Sequence, residues 1–197
     1  MKLIVTGVAL VLAGCMTFSA KAATTPDISW NYLSTGYAKL NIKVGSGDRF
    51  KPDGYQFNGS YLLSKDIYIR GSYFDVAGSF NGMDMDASEL SLSLGMRDAI
   101  SEQVDSFFEA GYGRSVAETN SLKETINGFQ ASAGFRYRVT PELELGIAAR
   151  YSDMGEDDTI YGDLSVRYRI TPMFDFYANY QFESDISLLG TGVVFNF

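Results

Sequence analysis

Phe129-Gln-Ala-Ser-Ala-Gly-Phe-Arg-Tyr137 alternates with a period of two. Phe129, Ala131, Ala133, Phe135 and Tyr137 fall on one side, and Gln130, Ser132, Gly134 and Arg136 on the other. Successive side chains of a β-strand point to opposite faces, so the stretch is a strand with one apolar and one polar face. A helix would scatter both sets around its axis.

The same alternation recurs outward from it in both directions. Tyr55-Gln-Phe-Asn-Gly-Ser-Tyr61, Leu90-Ser-Leu-Ser-Leu-Gly-Met96 and Leu164-Ser-Val-Arg-Tyr168 repeat it. Along the chain it predicts strands over 28–42, 55–63, 67–75, 88–97, 104–114, 128–138, 143–152, 159–169, 174–181 and 187–197. Ten is an even number, as an antiparallel barrel with both ends at one rim needs; eight is the neighbouring alternative. The connections alternate too. Ser64-Lys-Asp66, Val139-Thr-Pro-Glu142 and Ile170-Thr-Pro-Met173 are tight turns, and 98–103 is only slightly longer. The others, 43–54, 76–87, 115–127, 153–158 and 182–186, are mostly longer and richer in Gly, Asn and acids, and are expected to be loops.

Period two does not say which face looks outward, since a soluble lipid carrier alternates with its apolar face inside. The distribution of aromatics does. Tyr55, Tyr73, Tyr112, Phe129, Tyr151 and Tyr180 cluster near one end of the apolar faces, and Tyr61, Phe135, Tyr137, Tyr168 and Phe174 near the other. Gly59, Gly71, Leu92, Ala110, Ala131, Ile147, Val166 and Ala178 lie between them. Two aromatic girdles around an aliphatic belt suit a bilayer, because amphipathic rings prefer its interfaces. The expected fold is therefore all-β: a closed, antiparallel, up-and-down transmembrane barrel, with the longer loops outside the cell and the termini in the periplasm.

Upstream of the barrel, Met1-Lys2 precedes an apolar run from Leu3 to Phe18, and Ala20-Lys21-Ala22 offers small residues for signal peptidase. This run is short for a membrane helix. Cleavage after Ala22 is expected, dividing the chain into a 1–22 signal peptide and a 23–197 barrel domain. Leu12-Ala13-Gly14-Cys15 competes as a lipoprotein box in which Cys15, the sole cysteine, would be lipidated. The chain carries 16 basic and 24 acidic residues. Without Lys2 and Lys21 that becomes 14 against 24, a net of −10, which repels nucleic acid.

The C-terminal Gly190-Thr-Gly-Val-Val-Phe-Asn-Phe197 resembles the terminal signal of outer-membrane barrels, with Gly192, Phe195 and Phe197 at the matching positions. Gly190 departs from the polar residue usual at its place. With Ser29-Trp-Asn-Tyr-Leu-Ser-Thr-Gly-Tyr37, Gly59-Ser-Tyr-Leu62 and Thr140-Pro-Glu-Leu-Glu-Leu145, nearly the whole mature chain resembles the small Gram-negative outer-membrane β-barrel family, OmpA- and OmpX-like. The resemblance implies export, assembly by the barrel-assembly machinery with periplasmic chaperones, and residence as a monomer among lipid and lipopolysaccharide in the outer membrane. It carries over no catalytic or binding residue, and any surface ligand is unspecified.

Histidine is absent from the sequence, which removes the Ser–His and Asp–His couples on which barrel lipases and proteases rely. Asp84-Met-Asp86 and Glu156-Asp-Asp158 are adjacent acids expected on outer loops, where solvated charges are ordinary. No spacing suggests a metal site or a cofactor. The polar faces are more informative. Arg70, Arg97, Arg136, Arg138, Arg150, Arg167 and Arg169 face the lumen against Glu89, Glu109, Glu144, Asp163 and Asp175. Uncompensated buried charge is costly, so these groups are expected to interlock as a polar core. The alternative is a narrow pore with excess Arg. Three functional classes follow: a non-enzymatic envelope or surface-interaction barrel, a small-solute channel, and a histidine-free hydrolase. The first is expected.

Overall fold

A computed structural model describes residues 28–44, 48–80, 82–120, 122–154 and 157–197. Eleven strands form one sheet: β1 (Tyr32–Val44), β2 (Asp48–Phe50), β3 (Asp53–Leu62), β4 (Ile67–Phe80), β5 (Met83–Ala99), β6 (Val104–Thr119), β7 (Lys123–Arg138), β8 (Leu143–Met154), β9 (Asp157–Arg169), β10 (Phe174–Phe182) and β11 (Ile186–Asn196). Each long strand pairs antiparallel with the next, and β11 returns to β1 from Tyr32↔Asn196 to Ile42↔Ile186. β2 is a short fold-back on the end of β1, so ten staves close the barrel. Closure satisfies the backbone groups that an open sheet edge would expose to lipid.

The turns at one rim share one construction. Leu63, Ile100, Val139 and Ile170 each donate their backbone N–H to the carbonyl four residues on, and the hydroxyl of Ser64, Ser101, Thr140 or Thr171 accepts from a backbone N–H inside the turn. Such hydroxyls stand in for backbone acceptors and set the reversal locally.

The apolar face looks outward. Leu92, Leu94, Met96, Phe108, Tyr112 and Ile147 are all more than half exposed, whereas Gln56, Ser91, Gln130, Ser132 and Ser152 are buried inside. On β5 the outward series runs Leu90, Leu92, Leu94, Met96 between Ser88 and Asp98. At roughly 3.4 Å per residue it covers about 20 Å of strand, close to the ~25 Å apolar band of a membrane barrel once flanking residues are added.

The other rim departs from expectation. Residues 76–87 and 115–127 are not long loops: the β4–β5 ladder continues to Phe80↔Met83 and the β6–β7 ladder to Glu118↔Lys123. Beyond Leu90, residues 83–88 add about 17 Å of strand at ~3.4 Å per residue. By contrast, the β8–β9 ladder ends at Met154↔Asp157 and the β10–β11 ladder at Phe182↔Ser187. The wall is therefore tall along β4–β7 and low along β8–β11. The predicted acid pair Asp84 and Asp86 consequently lies within β5, where Asp84 accepts a hydrogen bond from Ser79. Asp157 and Asp158 begin β9, and Glu156 lies outside the described residues.

The first strand also begins later than its sequence suggests, at Tyr32 rather than at residue 28. Residues 28–31 do not extend the sheet. They turn into the lumen, with Ile28 and Trp30 buried.

Candidate functional site: the barrel lumen

Three layers fill the lumen, each dictated by the inward residues at that height. At the turn rim the layer is aromatic and charged. Trp30 lies against Tyr68 (ring centroids 4.5 Å apart) and Phe107 (5.8 Å), and its Nε1–H donates to Asp105 Oδ2 at 2.6 Å. The guanidinium of Arg136 packs 4.6 Å from the indole centroid, a cation–π contact. Trp30 precedes β1, yet these partners stand on β4, β6 and β7, so the chain before β1 carries the indole into the lumen against that part of the wall. A glycine makes room for this layer. Gly95 is the cross-strand partner of Tyr68, and a Cβ there would sit 2.2 Å from the phenol ring.

Ion pairs tie this layer together. Arg97 reaches Asp105 at 3.3 Å, and Arg136 sets both Nε and Nη2 2.7 Å from Glu144 Oε1. Arg70 pairs with Glu109 at 3.2 Å, whose other oxygen accepts from Tyr68 Oη at 2.9 Å. Arg169 lies 3.7 Å from Asp175, which Asn196 also holds at 2.9 Å. Arg138 donates to the backbone carbonyl of Glu102 at the rim itself.

Above it is a polar chamber of about 210 Å³. Among others, Arg70, Arg150, Arg167, Glu89, Asp163, Gln56 and Asn179 line it. Glu89 accepts from Gln130 and Asp163 from Gln181, both at 2.9 Å. Arg167 stacks 4.0 Å over the Tyr32 ring. The third layer is apolar: Ala38, Leu40, Val76 and Leu188 form a buried cluster with Ile42, Phe74, Ala87 and Ile186 around it.

The structure thus separates residues that looked equivalent in the sequence. Arg70, Arg97, Arg136 and Arg169 each have a carboxylate, but Arg138, Arg150 and Arg167 have none within ion-pairing distance among the described residues. Asp105 was missed although it shares the inward parity of Glu109. Its place beside the turn disguised it. Trp30 was missed because a residue just before an alternating run is equally compatible with one more strand position.

At the seam where the barrel closes, Gly192 faces Gly36. A Cβ on Gly192 would fall 2.1 Å from the Thr35 carbonyl oxygen, so the strands approach there only because both positions are glycine. Phe195 packs on Phe174 (5.4 Å), and Phe197 on Tyr61 (6.4 Å) and Phe195 (6.1 Å), all at the turn rim. Ala22 and Cys15 lie outside the described residues. No group of residues suited to hold a metal ion occurs among the described residues.

Solved structures of similar shape include the attachment invasion locus protein Ail of Yersinia pestis, at 20% identity and TM-score 0.47, covering 85% of this chain and 100% of that one. Neisserial surface protein A has 16% identity and TM-score 0.49 over 86% and 98%. The outer membrane protein OprG of Pseudomonas aeruginosa has 10% identity and TM-score 0.47 over 88% and 99%. Likeness at this level transfers neither ligand nor role. No curated protein matches the chain by sequence. Residues 8–182 do match the family described as outer membrane protein beta-barrel domain. That match spans most of the closed barrel, and the chain belongs to this family, a protein of the outer membrane.

Proposed function

We propose that the protein is a non-enzymatic outer-membrane barrel whose lumen serves as a polar core, with an envelope-structural or surface-interaction role exerted through its tall hairpins. The hairpin rim faces outside the cell, the turn rim and termini face the periplasm, and the mature chain begins after Ala22. The observation that carries this reading is Trp30. An indole held inside the lumen, bonded to Asp105 and packed on Arg136, supports a filled lumen at the turn rim. The tall β4–β7 wall supports the surface role. It presents acids Asp84, Asp86, Glu118 and Glu124 on ordered strands rather than on loops, which spares a partner the cost of ordering them.

A channel is the second reading, favoured by the chamber and by Arg150 and Arg167 within it. Planar-bilayer recording of the refolded barrel separates the two. A polar core gives little or no steady conductance, and Trp30→Ala raises it. Steady channels in the unmodified protein, with anion selectivity reduced by Arg150→Gln, would establish the channel instead.

A further inference from the structure

At the base of the chamber the charges do not balance locally. Arg70, Arg136 and Arg167 gather within electrostatic reach of the buried Tyr32, and two of them have a carboxylate of their own: Glu109 for Arg70 and Glu144 for Arg136. Arg167 has none. Its guanidinium carbon lies 4.0 Å from the centroid of the Tyr32 ring, and its Nη1 is buried without a hydrogen-bond partner among the described residues. Glu144, the cross-strand partner of Arg167 on β8, is engaged by Arg136, and Asp163, four residues away along β9, is engaged by Gln181. A buried guanidinium donor left without an acceptor is unfavourable, and a guanidinium with no carboxylate beside it attracts a counter-charge.

We propose that the chamber is a binding site for a small oxyanion, a carboxylate or phosphate group, held by the fork of Arg167. A planar guanidinium presents paired donors that match two oxygens of such a group. The chamber's volume of about 210 Å³ has room for a small anion. Entry is from the low side of the wall. The lining reaches Tyr161, Gln181 and Ser187, next to the short β10–β11 connection, while Trp30 lines the opposite end. The site does not depend on whether the barrel conducts.

Trp30 is the only tryptophan in the chain and lines the base of the chamber, so its fluorescence reports on the site. The refolded full barrel in detergent is titrated with sodium acetate and, separately, sodium phosphate, at constant ionic strength made up with sodium chloride. A saturating change is expected with at least one of them, and the preferred one identifies the oxyanion. Arg167→Gln should raise the half-saturating concentration about ten-fold or more, as loss of a charge-assisted hydrogen bond does. Arg114→Gln, the same change on the outer face, should leave it unaltered. If Arg167→Gln does not refold, Arg167→Lys keeps the charge without the fork and should still weaken binding several-fold. No saturation with either salt, or equal saturation with Arg167 replaced, would overturn the proposal.

Discussion

Replacing Arg70 by Gln should destabilise the barrel far more than the same change at Arg150. Glu109 has a side chain only 6% exposed and accepts from two donors, Arg70 Nη1 at 3.2 Å and Tyr68 Oη at 2.9 Å. Removing the arginine leaves a buried carboxylate with one neutral donor, a loss of about 3–5 kcal/mol on the scale of broken buried ion pairs. Arg150 has no ion pair to break, so Arg150→Gln should cost about 1 kcal/mol or less, the order of one ordinary hydrogen bond. Combining Arg70→Gln with Glu109→Gln removes the stranded charge, and the double variant should regain about 2 kcal/mol relative to the sum of the single losses. The assay is equilibrium unfolding in urea of the protein refolded in lipid vesicles, followed by Trp30 fluorescence and by the electrophoretic shift between folded and heated forms. Equal losses for Arg70→Gln and Arg150→Gln would refute the assignment of distinct partners. Simple additivity in the double variant would refute the Arg70–Glu109 coupling.

Gly95→Ala should push Tyr68 off its place between Trp30 and Glu109 and cost about 1–3 kcal/mol by overpacking, measured by the same unfolding curves. Deleting Phe197 removes a rim ring worth only ~2 kcal/mol of burial, so refolding in detergent should survive while levels in the outer membrane of cells fall. Equal levels with and without it would argue against an assembly signal at the C-terminus. Intact mass of the purified protein should correspond to a chain beginning at Ala23; a lipid adduct on Cys15 would replace that start site.

The strand positions and the direction of each face were legible in the sequence, because both depend on neighbours along the chain. Alternation in Leu90-Ser-Leu-Ser-Leu-Gly-Met96 sets the pleat, and Thr140-Pro and Thr171-Pro set their reversals through hydroxyls that bond within the turn. Lipid on one side and a polar lumen on the other then mark the two faces by composition alone. Outside the bilayer that contrast disappears. Met83-Asp-Met-Asp-Ala-Ser88 reads as a loop because both of its faces can be wet, and only the ladder to Phe80 and Thr119 makes it strand. The lumen was hidden for a different reason. Alternation says that Arg70, Arg150 and Arg167 point inward, but a partner's height across the bore depends on curvature and stagger accumulated around ten strands. That is why Arg70 meets Glu109 on β6, Trp30 meets Asp105 seventy-five residues away, and Arg167 meets the Tyr32 ring.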